Sequence, residues 1–249
     1  MDGHGGTAAS TKVSMELPNV LTNQIVVNHR PLEEALRDSW DSICQSYQLQ
    51  CIDEDQCVAD YDAREGVLMA NTGSEDLIAG TTASVLAVDE TNGQLVALNC
   101  GDSRSLVVTA DGKVQFVTQD HTPQTEEERL MQGRAAGLDY SLPQCRISKW
   151  TIAAGGYEYS VGRSLEGPFV ASKGIISDAD ISKTWIAPGE ILVSATDGLW
   201  EVMDSDEVAL DLYKMRKQGI HARDAARSLC SMAIKKGTPD NVSVVVVYV

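Results

Sequence analysis

The stretch Thr82-Ala83-Ser84-Val85-Leu86-Ala87-Val88, the turn at 89–93 and the run Gln94-Leu95-Val96-Ala97-Leu98-Asn99-Cys100 decide the fold. Two apolar runs of strand length flank Asn92-Gly93, and glycine there supplies the positive φ that a tight hairpin turn needs. The pattern repeats at once: residues 105–109, Asp111-Gly112 and residues 113–118. Together these segments read as an antiparallel meander, interrupted at the corner Gly101-Asp102-Ser103-Arg104. Ile191-Leu192-Val193-Ser194-Ala195-Thr196 adds a strand, and the valine-rich 242–249 adds another. The nearly unbroken apolar run of that last segment asks for burial on both faces, so it is expected in the middle of a sheet.

Helices surround the strands. From Pro31, the residues Leu32, Leu36, Trp40, Ile43 and Tyr47 recur at three-to-four spacing, with Glu33 and Glu34 in the first turn. Trp40 and Tyr47 on that stripe read as core packing. A short helix is expected over 7–15, entered through Gly6. Two more begin near Ser205 (Val208, Leu212, Met215) and His221 (Ala225, Leu229, Met232), each with one apolar face to cover a sheet. The expected fold class is α+β: two antiparallel sheets packed face to face, helices on both outer faces, in one domain over residues 1–249.

Residues 51–76 carry eight acidic side chains with no sustained period and without the ordered spacing of a calcium loop, so they read as a solvated loop or insertion, with Cys51 and Cys57 as exposed thiols. Thr125 to Glu128 open a helix with a capping pattern. Asp120 is expected to brace its loop and His121 to be a hydrogen-bonded turn residue. Residues 133–167 are irregular and glycine-rich, with Trp150, Tyr157 and Tyr159, and form a candidate substrate lip.

Composition narrows the partners. Against 20 Lys+Arg stand 36 Asp+Glu, a net charge of −16, which argues against nucleic acid or an anionic membrane and suits cation capture. No apolar run approaches the roughly 18 residues of a membrane span, and the start lacks the regions of a signal peptide. Six scattered cysteines without a Cys-x-x-Cys pair indicate neither a zinc site nor a disulfide framework. An intracellular, soluble protein of the cytoplasm or nucleus is expected.

Chemistry concentrates at acidic positions beside strands. Met1-Asp2-Gly3-His4-Gly5-Gly6 sets a hard oxygen ligand beside glycines that let a carbonyl oxygen approach a cation, with His4 as a nearby acid or base; read alone, it is equally the start of an unstructured end. Asp197 follows one strand and Asp240 precedes another, and with Asp2 they make a candidate carboxylate cluster. Asp102, in the corner Gly101-Asp102-Ser103-Arg104, reads as a turn cap.

Seven segments in order resemble the metal-dependent serine/threonine protein phosphatases of type 2C: Asp2-Gly3-His4-Gly5-Gly6, Ala79-Gly80-Thr81-Thr82-Ala83, Asn99-Cys100-Gly101-Asp102-Ser103-Arg104, Gln119-Asp120-His121-Thr122-Pro123, Glu127-Glu128-Arg129-Leu130, Ala195-Thr196-Asp197-Gly198-Leu199-Trp200 and Asp240-Asn241-Val242-Ser243. The resemblance implies two divalent cations, Mn²⁺ or Mg²⁺, bridged by Asp2. The Gly3 carbonyl oxygen would bind one, Asp197 and Asp240 would complete the other, and His4 would protonate the leaving oxygen. It implies a weaker third cation at Asp102 and Glu201, and a phosphoprotein substrate dephosphorylated at serine or threonine in signalling. Where the family has Leu-Gly-Asp, this chain has Leu165-Glu166-Gly167. Family members also begin with strands that carry a phosphate-binding Arg and an acidic pair, absent ahead of Asp2 here. Either the sequence is truncated, with impaired hydrolysis and a bared sheet edge open to dimerisation or strand exchange, or the protein works without those groups. The alternative reading is a phosphatase-like binding or regulatory module with weak or no activity.

Overall fold

The computed structural model describes residues 1–52, 59–62, 67–70, 79–138, 140–141, 143–146, 149–154 and 157–249. In chain order the elements are β1 (Gly3–His4), α1 (Ala8–Val26), α2 (Leu32–Ile52), β2 (Ala59–Asp62), β3 (Val67–Ala70), β4 (Gly80–Thr81), β5 (Ala83–Asp89), β6 (Gln94–Cys100), β7 (Arg104–Val108) and β8 (Val114–Val117). There follow α3 (Glu127–Ala135), β9 (Gln144–Arg146), β10 (Lys149–Ala154), β11 (Tyr157–Tyr159), β12 (Leu165–Glu166), α4 (Pro168–Ala171) and β13 (Asp180–Trp185). The last are β14 (Ile191–Ala195), α5 (Asp197–Trp200), α6 (Ser205–Lys217), α7 (Ala222–Lys235) and β15 (Val244–Tyr248). The fold is α+β with antiparallel sheets. None of the described helices is long and apolar enough to cross a membrane. The chain divides into two compact units, Met1–Ala83 with His121–Ala179 and Ser84–Asp120 with Asp180–Val249.

In the second unit two sheets lie face to face, one ordered β13-β6-β5 and the other β15-β14-β7-β8. Alternation sorts their side chains. Leu95 and Ala97 of β6, Val107 of β7 and Leu192 of β14 fill one apolar cluster with Leu86 and Phe116. Leu106 and Val108, with Ile191, Val193 and Ala195, point the other way, where Val208 and Leu212 of α6 and Ala225 and Leu229 of α7 cover them. Asp204 caps α6, its Oδ1 accepting from the Glu207 amide at 2.7 Å. Gly93 and Gly112 hold the two hairpin turns at φ +73° and +86°.

The expected interruption of the meander is a change of sheet and not a break within one: β6 pairs with β13 and β5, β7 with β14 and β8, so the chain changes sheet between Cys100 and Arg104. Buried Asn99 pins that corner, its amide donating to the carbonyls of Gly101 (3.0 Å) and Gln119 (2.9 Å). The valine-rich strand is not central as expected, since among the described residues β15 lies at the margin of its sheet. Only alternate side chains are covered: Val244, Val246 and Tyr248 pack on the helix side, whereas Val245 is 63% and Val247 47% exposed.

The first unit pairs α1 with α2. Leu36, Trp40, Ile43 and Tyr47 are buried as their spacing predicts. Trp40 Nε1 donates to Ser177 O at 2.7 Å and Tyr47 Oη to Ala79 O at 2.9 Å, so both polar tips are satisfied. Helix α1 runs well past the expected 7–15 and contains Pro18. Burial of Val13 and Leu17 contributes about 1.5–3 kcal/mol each, enough to offset the roughly 3 kcal/mol cost of an interior proline.

Of the expected loop at 51–76, β2 and β3 form a hairpin; Asp53, Glu54, Asp55, Cys57, Glu65, Glu75 and Asp76 lie outside the described residues. Cys51 is buried on α2 rather than exposed. The segment 133–167 is more regular than expected, because it holds the sheet β9-β10-β11 and the strand β12. Ile152, Tyr140, Tyr159 and Leu130 share its core. The capping pattern starts earlier than expected: Thr122 and Thr125 bond each other's amides at 2.9 and 3.2 Å, and α3 begins at Glu127.

Glu126, only 6% exposed, anchors this unit. Its carboxylate accepts two bonds from Arg163, each 2.9 Å, and one from Arg129 Nε. Arg129 reaches on to the carbonyls of Gly162 and Gly174. Burial by itself pushes the Glu126 carboxyl up, but the bonds and charges of Arg163 and Arg129 outweigh it and hold the group below its ordinary range.

Glu126→Gln should therefore destabilise the protein by about 2 kcal/mol at neutral pH, less than a fully buried pair because both guanidiniums keep some contact with water. A urea unfolding series checks it. A depressed folded-state pKa gives stability that is complete above the unfolded value, about 4.3, and is lost as pH falls through the folded one. The gap between variant and wild type should close in acid. In the second unit a Cβ at Gly198 would collide with the Asn241 carbonyl oxygen, so Gly198→Ala should cost about 1–3 kcal/mol and lower the melting temperature.

Candidate functional site

Asp2 is held by its backbone. Its N–H donates to Thr82 Oγ1 (3.2 Å), and its carbonyl accepts from the Thr82 amide (2.9 Å) and Thr81 Oγ1 (3.0 Å). Thr81 and Thr82 are buried, so the clamp is shielded from water. Gly3 lies against the first turn of α1, where a Cβ would come within 2.7 Å of Ser10 Oγ. The sequence here needs glycine for space.

His4 is the centre of a cluster the sequence did not reveal. Strand β4 pairs with β1 on one side and β12 on the other, setting His4 and Glu166 either side of Gly80. His4 Nε2 meets Glu166 Oε1 at 2.6 Å. Ser164 Oγ donates to the same oxygen, and the Glu166 side chain is fully buried. Tyr159 stands edge-on to the imidazole, ring centroids 6.0 Å apart and planes at 77°. The only sequence signal was the departure at Leu165-Glu166-Gly167.

In the second unit, strand register gathers the acidic positions. Ala195 pairs with Val244 on one side and Arg104 on the other. Asp197 comes two residues after Ala195, Asp102 two before Arg104 and Asp240 four before Val244, so all three occupy one end of the sheet. Asp197 and Asp102 are buried; Asp240 is exposed, its Oδ1 accepting from the Asn241 amide at 2.7 Å. Thr196 stitches the ends together: its amide donates to Ser243 O and its Oγ1 accepts from Ser243 N, both 3.1 Å. Glu201 is exposed, one turn beyond Asp197 at the end of α5.

Neighbouring groups fix this end. Trp200 Nε1 donates to Ala195 O at 2.9 Å, tying α5 back onto its strand. Arg104 lies 5.2 Å over the Trp200 ring, bonds Asp120 through Nε (2.9 Å) and Nη2 (2.6 Å), and reaches Ser205 at 3.1 Å. Asp120 is thus the expected brace. His121 is fully buried, and its carbonyl accepts from Gly162 N at 2.7 Å.

The expected metal positions, Asp2, the Gly3 carbonyl, Asp197 and Asp240, offer oxygen donors alone, the chemistry that suits Mg²⁺ or Mn²⁺. Among the described residues no three His, Cys, Asp or Glu side chains are grouped so as to hold an ion by themselves. Asp102, Asp197 and Asp240 share their end of one sheet, while Asp2, Gly3 and His4 are carried by the first unit.

Comparisons with known sequences point to one family. The chain is 29% identical over 248 residues to the probable protein phosphatase 2C 69 of Arabidopsis thaliana, covering 99% of this chain and 59% of that protein. Protein phosphatase 1L of Bos taurus is 28% identical, covering 99% of this chain and 62% of its own length. The chain thus spans about three fifths of these relatives. Among solved structures, a serine-threonine phosphatase 2C from Toxoplasma gondii superposes with a TM-score of 0.72 at 18% identity, over 98% of this chain and 81% of that one. A sex-determining protein of C. elegans gives 0.73 at 21% identity, over 98% and 54%. At such identities the structures show the shared fold. The family profile described as Protein phosphatase 2C matches residues 1–242, nearly the whole sequence, and the chain belongs to that family.

Proposed function

We propose that the protein hydrolyses phosphoserine and phosphothreonine in proteins with the help of two divalent cations, Mn²⁺ or Mg²⁺. The observation that carries this reading is buried Asp197 just past the end of β14, at the same end of the sheet as Asp102 and Asp240, within a chain matched to the family over residues 1–242. Asp2, the Gly3 carbonyl oxygen, Asp197 and Asp240 are assigned as cation ligands, and Asp102 and Glu201 as a weaker third position. Held by these residues, the cations would supply Lewis acidity that lowers the pKa of a water nucleophile.

The chain's own residues do the rest. Thr81 and Thr82 fix the Asp2 backbone, and Thr196 fixes the approach to Asp197, so these carboxylates are presented from rigid segments. His4 delivers a proton to the departing serine or threonine oxygen. The segment 133–167 is the proposed lip for the phosphoprotein, with Trp150 half-buried upon it.

Mn²⁺ should bind the chain by titration calorimetry and raise its melting temperature, by up to about 2.7 kcal/mol of stabilisation at a hundredfold excess over Kd. Asp197→Ala should abolish the heat of binding, and Mn²⁺-dependent release of phosphate from a phosphothreonine peptide should vanish with it. Unchanged Mn²⁺ binding in that variant refutes the ligand assignment. Binding of Mn²⁺ by the wild type without hydrolysis would make the chain a phosphatase-like binding module.

A further inference from the structure

We infer that Glu166 is a positioning residue for His4: it holds the imidazole by Nε2, so that Nδ1 is the nitrogen that meets the leaving oxygen. The inference rests on the proton-donor role proposed above for His4. Its geometric basis is a row of three residues on three strands, His4 on β1, Gly80 on β4 and Glu166 on β12. Neighbouring strands lie about 4.8 Å apart, so the outer two backbones in such a row stand nearly 10 Å from each other. Side chains meet across that distance only when both are long and the middle position is empty. A Cβ at Gly80 would strike both Glu166 Oε2 and His4 Nε2. Over the bare glycine the two join at 2.6 Å.

The bond leaves the ring one arrangement. A carboxylate only accepts, so Nε2 carries the hydrogen in the pair and Nδ1 is the second nitrogen. Ser164 Oγ on the same Oε1 fixes the carboxylate, and Tyr159 packs T-shaped beside the imidazole. The His4 side chain keeps 31% of its surface exposed while Glu166 keeps none, so the pair has a wet end and a dry end. A buried carboxylate without an Arg or Lys ion pair among the described residues is a poor device for stability, since an apolar side chain would fill the space at lower desolvation cost. It is a good device for holding a ring. In the chemical step, the imidazolium gives its Nδ1 proton to the departing alkoxide, the oxygen–phosphorus bond breaks with its electrons on oxygen, and a neutral ring remains with Nε2–H on Glu166. No proton passes to the carboxylate.

Two readouts test this. In ¹H–¹⁵N spectra of the metal-free wild type at a pH where the ring is neutral, the His4 ring, assigned by its loss in His4→Gln, should show the Nε2–H tautomer, and Glu166→Gln and Glu166→Ala should give a mixture. For phosphothreonine-peptide hydrolysis with Mn²⁺, kcat should fall on the order of a hundredfold in Glu166→Ala, with KM and calorimetric Mn²⁺ affinity within about twofold of wild type. Glu166→Gln, which keeps the shape and one acceptor oxygen, should recover part of that loss, and Glu166→Asp, one methylene short, should not. An Nδ1–H tautomer in the wild type overturns the inference, as does an unchanged kcat in Glu166→Ala or a parallel loss of Mn²⁺ affinity and folding in all three variants. If the wild type binds Mn²⁺ yet hydrolyses nothing, the hydrolase reading fails and takes the catalytic half of the inference with it; the spectrum still decides whether Glu166 holds the ring.

Discussion

The pairing of Ala195 with Arg104 on one side and Val244 on the other is the constraint on which the second unit depends. Side chains alternate with a period of two, so a one-residue slip would turn Ile191, Val193 and Ala195 from the helix-covered face to the opposite one. The same register decides where the strands end, and hence that Asp102, Asp197 and Asp240 emerge together. Packing and chemistry are set by one row of hydrogen bonds. Thr196 and Trp200 extend that control past the last paired residue, binding Ser243 and Ala195 respectively.

Not every acidic side chain in this strongly negative chain serves the same end. Glu126 and Asp120 are consumed by arginines, two on the first and one, gripped in a fork, on the second. Arg163 and Arg104 thereby join segments 37 and 16 residues apart, while Arg129 lies one helical turn from Glu126. The acids at strand ends are placed differently: Asp240 takes up its neighbour's amide, and the buried Asp197 opens a single helical turn on a strand end. Where charges are matched locally the result is a joint.

Much of the fold was legible because it depends on local rules. The stripe Leu36, Trp40, Ile43 and Tyr47 gave α2, and Asn92-Gly93 and Asp111-Gly112 gave the two hairpins. What was hidden depends on partners remote in sequence. The change of sheet after Cys100 is enforced by Asn99 reaching Gln119, and the continuation of α1 through Pro18 by its packing on α2. The candidate metal positions could be named from motifs, each being a carboxylate or glycine with a recognisable neighbour. Glu166 could not, since its role requires knowing that Gly80 lies between it and His4.

The margin formed by β15 places opposing demands on the molecule as a solute. Val244-Val245-Val246-Val247 is uncharged, proline-free and rich in β-propensity, and alternate members look outward from a strand with no described neighbour on one side. Such an edge templates another strand. The net charge of −16 holds copies apart, but only over a Debye length, about 10 Å at 0.1 M salt and 3 Å at 1 M. Colloidal behaviour is therefore a contest between a short-range sticky ribbon and a screened repulsion, and ionic strength, which leaves the fold's apolar core untouched, decides how long the chain stays dispersed.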